Sequence, residues 1–385
     1  MKETNPNLDY YTYALHKDEA IENTTTPPVA PQAPQSTLEP NPQPTNELTA
    51  QREKTARKAL SRICTSITVM LIVWILVNTL VSVFAFLIAP ELVNQPAFVI
   101  FSSTLPLIFI AIPVAYAILK DMPTATPEVR PPLGGAKFVL ILFISMGIMI
   151  AGNLISNVAM SFVGAITGTS PVNSLEMVMD APVWVVALCA VILSPIFEEI
   201  LCRGLILRRL LPYGEVTAIV FSSVIFAFIH NNLFQFVYAF GVGIVLSLVY
   251  LRTGRFRYCV ILHIIINALG SLFSVIFLSQ MDTEFVEILT NGANFAANDP
   301  VFLEMIFDNI VPLLLMGLYT MTQYAMAFAG LILLLLFWKK VKIVRKETDL
   351  PATRSLTLAA TSVGGVLLII ISVLLTLLNM GFVGA

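Results

Sequence analysis

The stretch Glu198-Glu199-Ile200-Leu201-Cys202-Arg203 places two carboxylates and a guanidinium inside an otherwise apolar segment of the chain. Each ionisable side chain at the centre of a bilayer costs about 2.5–3.5 kcal/mol on insertion scales. The two histidines outside the N-terminal tail, His230 and His263, lie downstream in two further apolar segments. Ionisable groups kept in such segments indicate a proton-transfer or metal site within the membrane.

The composition indicates an integral membrane protein. Of the 385 residues, 57% are hydrophobic and only 12% are charged, whereas soluble domains carry about 25% charged residues. The formal net charge of -2 argues against a nucleic-acid partner, which would require a basic surface. Residues 1–50 are rich in Pro, Thr, Asn and Gln, so we expect a disordered cytoplasmic tail that contains His16.

The rest of the chain predicts an all-α fold, a polytopic transmembrane bundle of about nine spans, since crossing a bilayer takes about 20 apolar residues. The apolar stretches run approximately over 63–89, 97–119, 137–166, 182–202, 216–231, 233–251, 258–279, 311–338 and 356–382. We expect two N-terminal helices within 60–136, a catalytic helical core over 137–278, an external acidic loop over 279–310 and two C-terminal helices within 311–385.

The basic residues predict how the bundle is oriented. When the spans are threaded alternately across the bilayer, all 22 Lys and Arg fall on one side, and the opposite loops carry only acids. By the positive-inside rule the N-terminus is cytoplasmic, and an odd number of spans leaves the C-terminus outside. We therefore expect an integral protein of the cell membrane (plasma or inner membrane).

The spacing of the charged residues separates the two carboxylates. Residues four apart on a helix are neighbours, so Glu199 and Arg203 can form an ion pair. Glu198 points about 100° away from Glu199 and is left to face a cavity. Counted from the predicted span ends, Glu198 and His263 lie near the cytoplasmic edge, whereas His230 lies roughly 20 Å deep. A common site therefore requires a tilted fifth span or one that begins inside the cytoplasm.

The histidines supply the second part of the candidate site. His263 and Asn267 are four residues apart, so the imidazole and the carboxamide share one helix face. Neutral imidazoles are the commonest metal ligands, and two of them with the Glu198 carboxylate resemble the ligand set of hydrolytic zinc sites. In such sites, the metal activates a bound water and a nearby carboxylate takes its proton. Asn267 could donate to a developing oxyanion or complete the coordination.

Together, these residues resemble the CAAX protease and bacteriocin-processing family (CPBP, Abi-like) of intramembrane metalloproteases. The family motifs E-E-x-x-x-R, F-x-x-x-H and H-x-x-x-N occur here in order, as Glu198, Glu199 and Arg203, then Phe226 and His230, then His263 and Asn267. The resemblance covers about residues 137–278. It implies that Glu198 is the base that activates water and that His230 assists it or binds the metal. It also implies that His263 and Asn267 bind the metal or stabilise the oxyanion.

The predicted function is that of an intramembrane metallo-endopeptidase, with zinc as the expected ion and a membrane-associated protein or peptide as the substrate. We expect a water-accessible cavity that opens to the cytoplasm. If no metal is bound, the resemblance implies a glutamate protease instead. Two other classes stay open. A proton-coupled transporter also uses intramembrane Glu and His and would show flux without cleavage. A non-proteolytic scaffold or immunity protein of the same fold would keep the helices without the chemistry.

Overall fold

A computed structural model of the protein describes residues 46–168, 171, 173, 176–291, 300–346 and 349–381. Within these ranges the chain forms helices and no β-strand, which confirms the predicted all-α class. The tail predicted for residues 1–50, with His16, lies outside the described residues as far as residue 45.

Each apolar stretch of the sequence forms a helix or a broken pair of helices. In chain order the helices are α1 (Asn46–Ile88), α2 (Pro96–Leu119), α3 (Gly135–Thr167), α4 (Val183–Tyr213), α5 (Glu215–Phe228), α6 (Leu233–Thr253), α7 (Phe256–Leu278), α8 (Thr283–Asn291), α9 (Pro300–Asp308), α10 (Ile310–Phe337), α11 (Ala352–Ala360) and α12 (Val363–Asn379). The predicted acidic loop over 279–310 contains the two short helices α8 and α9.

The number of spans agrees approximately with the prediction. Among the described residues, 7 helices are long and apolar enough to cross a membrane, and the bent pair α11 and α12, with a 78° angle between them, would make up to 8. The predicted fifth span is α5, an apolar helix of 14 residues, which is shorter than the roughly 20 residues that a full crossing takes. The fifth element is therefore a short inner helix.

Helix α5 lies inside the bundle because it is apolar on almost every side. It packs against α4 on one side and against α6 on the other. Its inward residues are fully or almost fully buried, among them Thr217, Ala218, Phe221, Ser222, Ile225 and Phe226. The main hydrophobic core surrounds it and takes further side chains from α1, α2, α4, α6 and α7.

The basic clusters of the sequence meet at one end of the bundle, here called the basic face. Side-chain contacts join them across different helices. Three arginines donate to backbone carbonyls: Arg62 to Ile118, Arg209 to Leu119 and Arg255 to Arg130. Two others form ion pairs, Arg252 with Glu215 at 2.5 Å and Arg354 with Glu53 at 2.6 Å. The turn between α5 and α6 lies at the opposite end, since Glu215 begins α5 and Arg252 ends α6. The structure thus gathers on one face the charges that the sequence assigns to one side.

Helix α4 removes the conflict of depth that the predicted spans create between Glu198 and His230. It runs to Tyr213 rather than ending near residue 202, so Glu198 lies about 15 residues, or roughly 22 Å, from that end. His230 lies about the same distance from Glu215, the start of α5. The fourth span was predicted too short because Arg203 and Arg209 suggested a membrane boundary, whereas both side chains are buried in the bundle.

Small residues let α3 and α10 approach closely. A Cβ added to Gly330 would lie 1.8 Å from the carbonyl oxygen of Phe143, and one added to Gly147 would lie 2.9 Å from the carbonyl oxygen of Ala327. Such contacts between backbones are typical of membrane helix interfaces. They join α10 to the part of the bundle that carries the candidate site.

Candidate active site

The helices that carry the motifs depart from regular α-helical winding. Wider π-helical segments, Val186–Leu193 and Ile200–Leu207, flank a short α-helical segment, Ser194–Glu199, within α4. A third π-helical segment, Ala268–Leu272, follows Asn267 in α7. Pro195 lies inside α4, in the segment Ser194–Glu199, and neither begins nor ends the helix. Segments with π-helical winding occur frequently at functional sites, and here they lie on both sides of the carboxylate pair.

The ion pair that the spacing predicts is present and fully buried. Arg203 Nη1 lies 2.9 Å from Glu199 Oε1, and both side chains have 0% exposure. The guanidinium also donates to the carbonyl of Gly243 at 2.8 Å and lies over the Phe226 ring, 4.8 Å from its centroid. Charge, hydrogen bond and aromatic face together offset much of the desolvation of the buried Arg203.

Glu199 also orients His263. Its Oε1 lies 3.0 Å from His263 Nδ1, on a different helix. Because an ionised carboxylate can only accept hydrogen bonds, Nδ1 carries a proton in this contact. In the neutral ring, Nε2 then has the lone pair. His263 Nε2 lies 3.7 Å from Glu198 Oε2, so the ring connects the two adjacent glutamates.

Glu198 is the carboxylate without a fixed partner. Its Oε2 is buried and has no hydrogen-bond partner within the described part of the chain. The His263 Nε2 atom, at 3.7 Å, is too far away for a direct hydrogen bond. A buried carboxylate oxygen in this state can bond to a water, an ion or a substrate group.

His230 is held in a similar way. Its Nδ1 lies 2.7 Å from the carbonyl oxygen of Phe226, which can only accept, so Nε2 is again the free nitrogen. The Phe226 ring packs edge-on against both imidazoles, with centroid distances of 5.0 Å to His230 and 5.5 Å to His263. The next residue, Asn231, has a φ of 47° and accepts a hydrogen bond from Asn379 of α12, which fixes the turn after His230.

One cavity of about 390 Å³ collects most of the predicted site residues. Glu198, Phe226, His230, His263 and Asn267 line it. Glu199 and Arg203 lie behind its wall. Asn267 donates one amide hydrogen to the carbonyl of Ala190 at 2.9 Å, which leaves its second N–H and its oxygen available. The three motifs, far apart in sequence, therefore converge on one space.

Sequence reasoning missed the neutral polar side chains of the cavity. Six of them come from α3, α6 and α10: Asn153, Gln235, Tyr238, Thr320, Gln323 and Tyr324. Ionisable groups stand out in an apolar sequence because their cost in a membrane is large, whereas neutral polar residues cost less and give a weaker signal. Thr320 and Tyr324 do have the same i, i+4 spacing as the recognised motifs, and this pattern could have identified them.

The donor types in the cavity fit a divalent metal. Both histidines have Nδ1 engaged by an acceptor, which is the usual arrangement for imidazoles that bind metal through Nε2. The unpartnered Glu198 oxygen adds an anionic ligand. Among the described residues, however, no three His, Cys, Asp or Glu side chains are close enough together to hold one ion. The donor types are present in the cavity wall, but their positions do not form a ready-made metal site.

Residues 180–269 match a family model described as type II CAAX prenyl endopeptidase Rce1-like. This segment contains all three motifs and is shorter than the 137–278 expected from the sequence. No curated protein and no solved structure matches the chain. With its membrane-length helices and this match, the chain is an integral membrane protein. The resemblance to the CAAX-protease family, predicted from the motifs, is thereby confirmed over residues 180–269.

Proposed function

We propose that the protein is an intramembrane endopeptidase that cuts a peptide bond in a membrane-associated protein or peptide. The observation that carries the proposal is the unpartnered, buried oxygen of Glu198, which lines a cavity beside His263. The family match supports a protease, since the matched model describes an endopeptidase.

In this mechanism Glu198 is the general base. A water between Glu198 and His263 would donate one proton to the carboxylate as its oxygen attacks the substrate carbonyl carbon. Glu198 then returns that proton to the leaving amine, so one water is consumed and an acid and an amine are formed. The second N–H of Asn267 would donate to the oxyanion of the tetrahedral intermediate.

Glu199 and Arg203 act through His263. Arg203 pairs with Glu199, and Glu199 accepts the Nδ1 proton of His263 in a hydrogen bond, so that Nε2 faces the cavity. This is the logic of a catalytic base oriented by a third group. Both residues are positioning residues in this mechanism, because neither lines the cavity.

We propose zinc as the ion of this site, with His230, His263 and Glu198 as its ligands once their side chains move closer together than they lie in this structure. When bound, it would polarise the attacking water and the substrate carbonyl. The donor types favour this proposal, and the resemblance implies it. The steps assigned to Glu198 and Asn267 do not depend on the metal.

We propose that the basic face is cytoplasmic, in the plasma or inner membrane, by the positive-inside rule. The contacts among basic clusters support a common side for all of them. Helix α12 leaves this face, where Gly364 lies against Ser61 of α1, and reaches the turn at Asn231. On this proposal the end of α12 lies outside and the N-terminal flank of α1 lies inside.

Replacing Glu198 with Gln tests the proposal. The change keeps the size of the side chain and removes the base, so peptide hydrolysis should fall at least about 100-fold. The matched control is Glu304→Gln, the same change at an exposed residue of α9. Cleavage of a labelled membrane peptide by the purified protein in vesicles is the measurement. Full activity in Glu198→Gln would refute the assignment of the base, and substrate flux without cleavage would favour a transporter.

A further inference from the structure

The cavity opens on the flank of the bundle. Four of its lining residues are exposed on the outer surface: Leu154 of α3, Gly270 of α7, and Thr320 and Tyr324 of α10. Leu154 and Tyr324 are about half exposed, at 50% and 53%. These four residues are called the mouth. Thr320 and Tyr324 lie about 10 and 14 residues into α10, roughly 15–21 Å from its start, so the mouth lies at mid-span.

The side of the cavity towards the basic face is closed. Beyond Glu199 in that direction lie side chains with 0% exposure: Cys202 and Ile206 of α4, Leu246 of α6 and Cys259 of α7. Cys259 donates to the carbonyl of Leu246, which ties two of these helices together. At these positions, packed side chains therefore lie between the site and the basic face.

Helix α10, which lies outside the family match, is fastened to the catalytic helix at the mouth. Tyr319 and Gln323 both donate to the carbonyl oxygen of Leu269. Leu269 lies in the π-helical segment Ala268–Leu272 that follows Asn267. Helix α10 is thus a structural wall of the active-site cavity and presents Thr320, Gln323 and Tyr324 to it.

The chemistry of the lining selects for an uncharged occupant. Among the described residues that line the cavity, Glu198 is the only Asp, Glu, Lys or Arg. With no metal bound, a substrate carboxylate would meet a like charge there, and a substrate cation would find its only counter-ion in the catalytic base. Charges without a partner in such a space are strongly disfavoured. The remaining polar side chains of the wall are the imidazoles of His230 and His263, hydroxyls and carboxamides.

Neutral hydrogen-bonding side chains at mid-span can bond to the backbone of a substrate helix that has unwound. In a membrane helix, all backbone N–H and C=O groups are bonded internally, and each one that loses its partner in hydrocarbon is costly. A protease must nevertheless free a peptide bond from the helix to cut it. Asn153, Thr320, Gln323 and Tyr324 could bond to the freed groups.

We propose that the mouth admits an uncharged transmembrane segment of the substrate from the bilayer and that its neutral side chains hold the segment's unwound backbone. This proposal rests on the proposed endopeptidase function and names its substrate class. A substrate that was bound by a prenyl chain alone would not need these hydroxyls and carboxamides.

The first experiment measures capture, which does not require cleavage. The probe is a labelled Leu/Ala transmembrane peptide of about 20 residues with a central Asn-Gly. A photoreactive phenylalanine analogue replaces Tyr324, or Met321 as the control, in a Glu198→Gln protein in vesicles. Met321 is 72% exposed and does not line the cavity. Cross-linking should be at least about tenfold stronger from position 324, and a central Asp in the probe should reduce it by a similar factor.

The second experiment measures cleavage with a matched pair, Thr320→Val and Thr322→Val. Both hydroxyls donate to the carbonyl four residues earlier at 2.8 Å, so both changes remove the same internal bond, and only Thr320 lines the cavity. Thr320→Val should raise KM for the transmembrane probe about tenfold, as expected for one lost hydrogen bond, and leave kcat unchanged. Thr322→Val should match the wild type.

The two measurements distinguish a failure of the proposed mouth from a failure of the proposed endopeptidase function. Equal cross-linking from positions 324 and 321 would overturn access through the mouth, whether or not the probe is cut. Equal KM values for the two threonine variants would overturn the role of the wall. Capture at position 324 with no cleavage by wild-type protein would support the mouth and refute the endopeptidase function.

Discussion

Removing the carboxylate of Glu199 should destabilise the protein more than removing its whole ion pair. Glu199 and Arg203 have 0% exposure, so Glu199→Gln leaves a buried guanidinium without a counter-charge. Breaking one half of such a pair typically costs about 3–5 kcal/mol. The double variant Glu199→Gln, Arg203→Met removes the unpaired charge as well. Its remaining cost is the lost hydrogen bond from the guanidinium to the carbonyl of Gly243, about 1.5–3 kcal/mol for a bond with a charged donor.

The double variant is therefore expected to be more stable than the single one by about 2 kcal/mol. Denaturant titration in detergent micelles, followed by tryptophan fluorescence, measures the free energy of unfolding of the three proteins side by side. Activity should behave differently from stability. Neither variant offers His263 the carboxylate that holds its Nδ1 proton, so peptide hydrolysis should stay low in both.

Two results would refute this reasoning. If Glu199→Gln were as stable as the wild type, Arg203 would not depend on its buried partner. If the double variant recovered activity together with stability, Glu199 would serve only the fold and not the orientation of His263. Recovery of stability alone identifies Glu199 as the residue that connects the ion pair to the catalytic cavity.

Two further predictions concern the bundle and the metal. Gly330→Ala should lower the free energy of unfolding by about 1–3 kcal/mol or more, because its Cβ would lie 1.8 Å from a carbonyl oxygen of α3. Gly317→Ala in the same helix, with no neighbouring atom within 4 Å, should stabilise by up to about 1 kcal/mol through helix propensity. Purified wild-type protein should contain about one zinc per chain, as expected for a single catalytic site, and the His230→Ala, His263→Ala variant should contain none.

Each of these has a result that contradicts it. Equal stability of the two alanine variants would mean that α3 and α10 do not touch at Gly330. Zinc retained by the double histidine variant would place the ion elsewhere. Absence of zinc from both proteins would support a glutamate protease, in which Glu198 activates water without a metal.

The sequence alone determined the membrane class, the helical fold and the three motifs. Apolar stretches of about 20 residues have few structural alternatives in a bilayer, because every backbone group must be bonded within the segment. The ion pair between Glu199 and Arg203 was equally predictable, since helix geometry places residues four apart together. Ionisable groups in apolar segments are recognisable because placing them in a membrane costs free energy. Glu198 and both histidines were therefore found without any contact information.

Only the tertiary structure decided how these residues meet. That His263 binds Glu199 and that Phe226 packs between two imidazoles depends on the crossing of α4, α5 and α7, which no local spacing encodes. The length of α4 was misjudged because a buried arginine and an interfacial one look alike in sequence. The wall formed by α10 was missed for a related reason. Thr320, Gln323 and Tyr324 cost little in a membrane, so their role follows from their position beside the cavity and not from their composition.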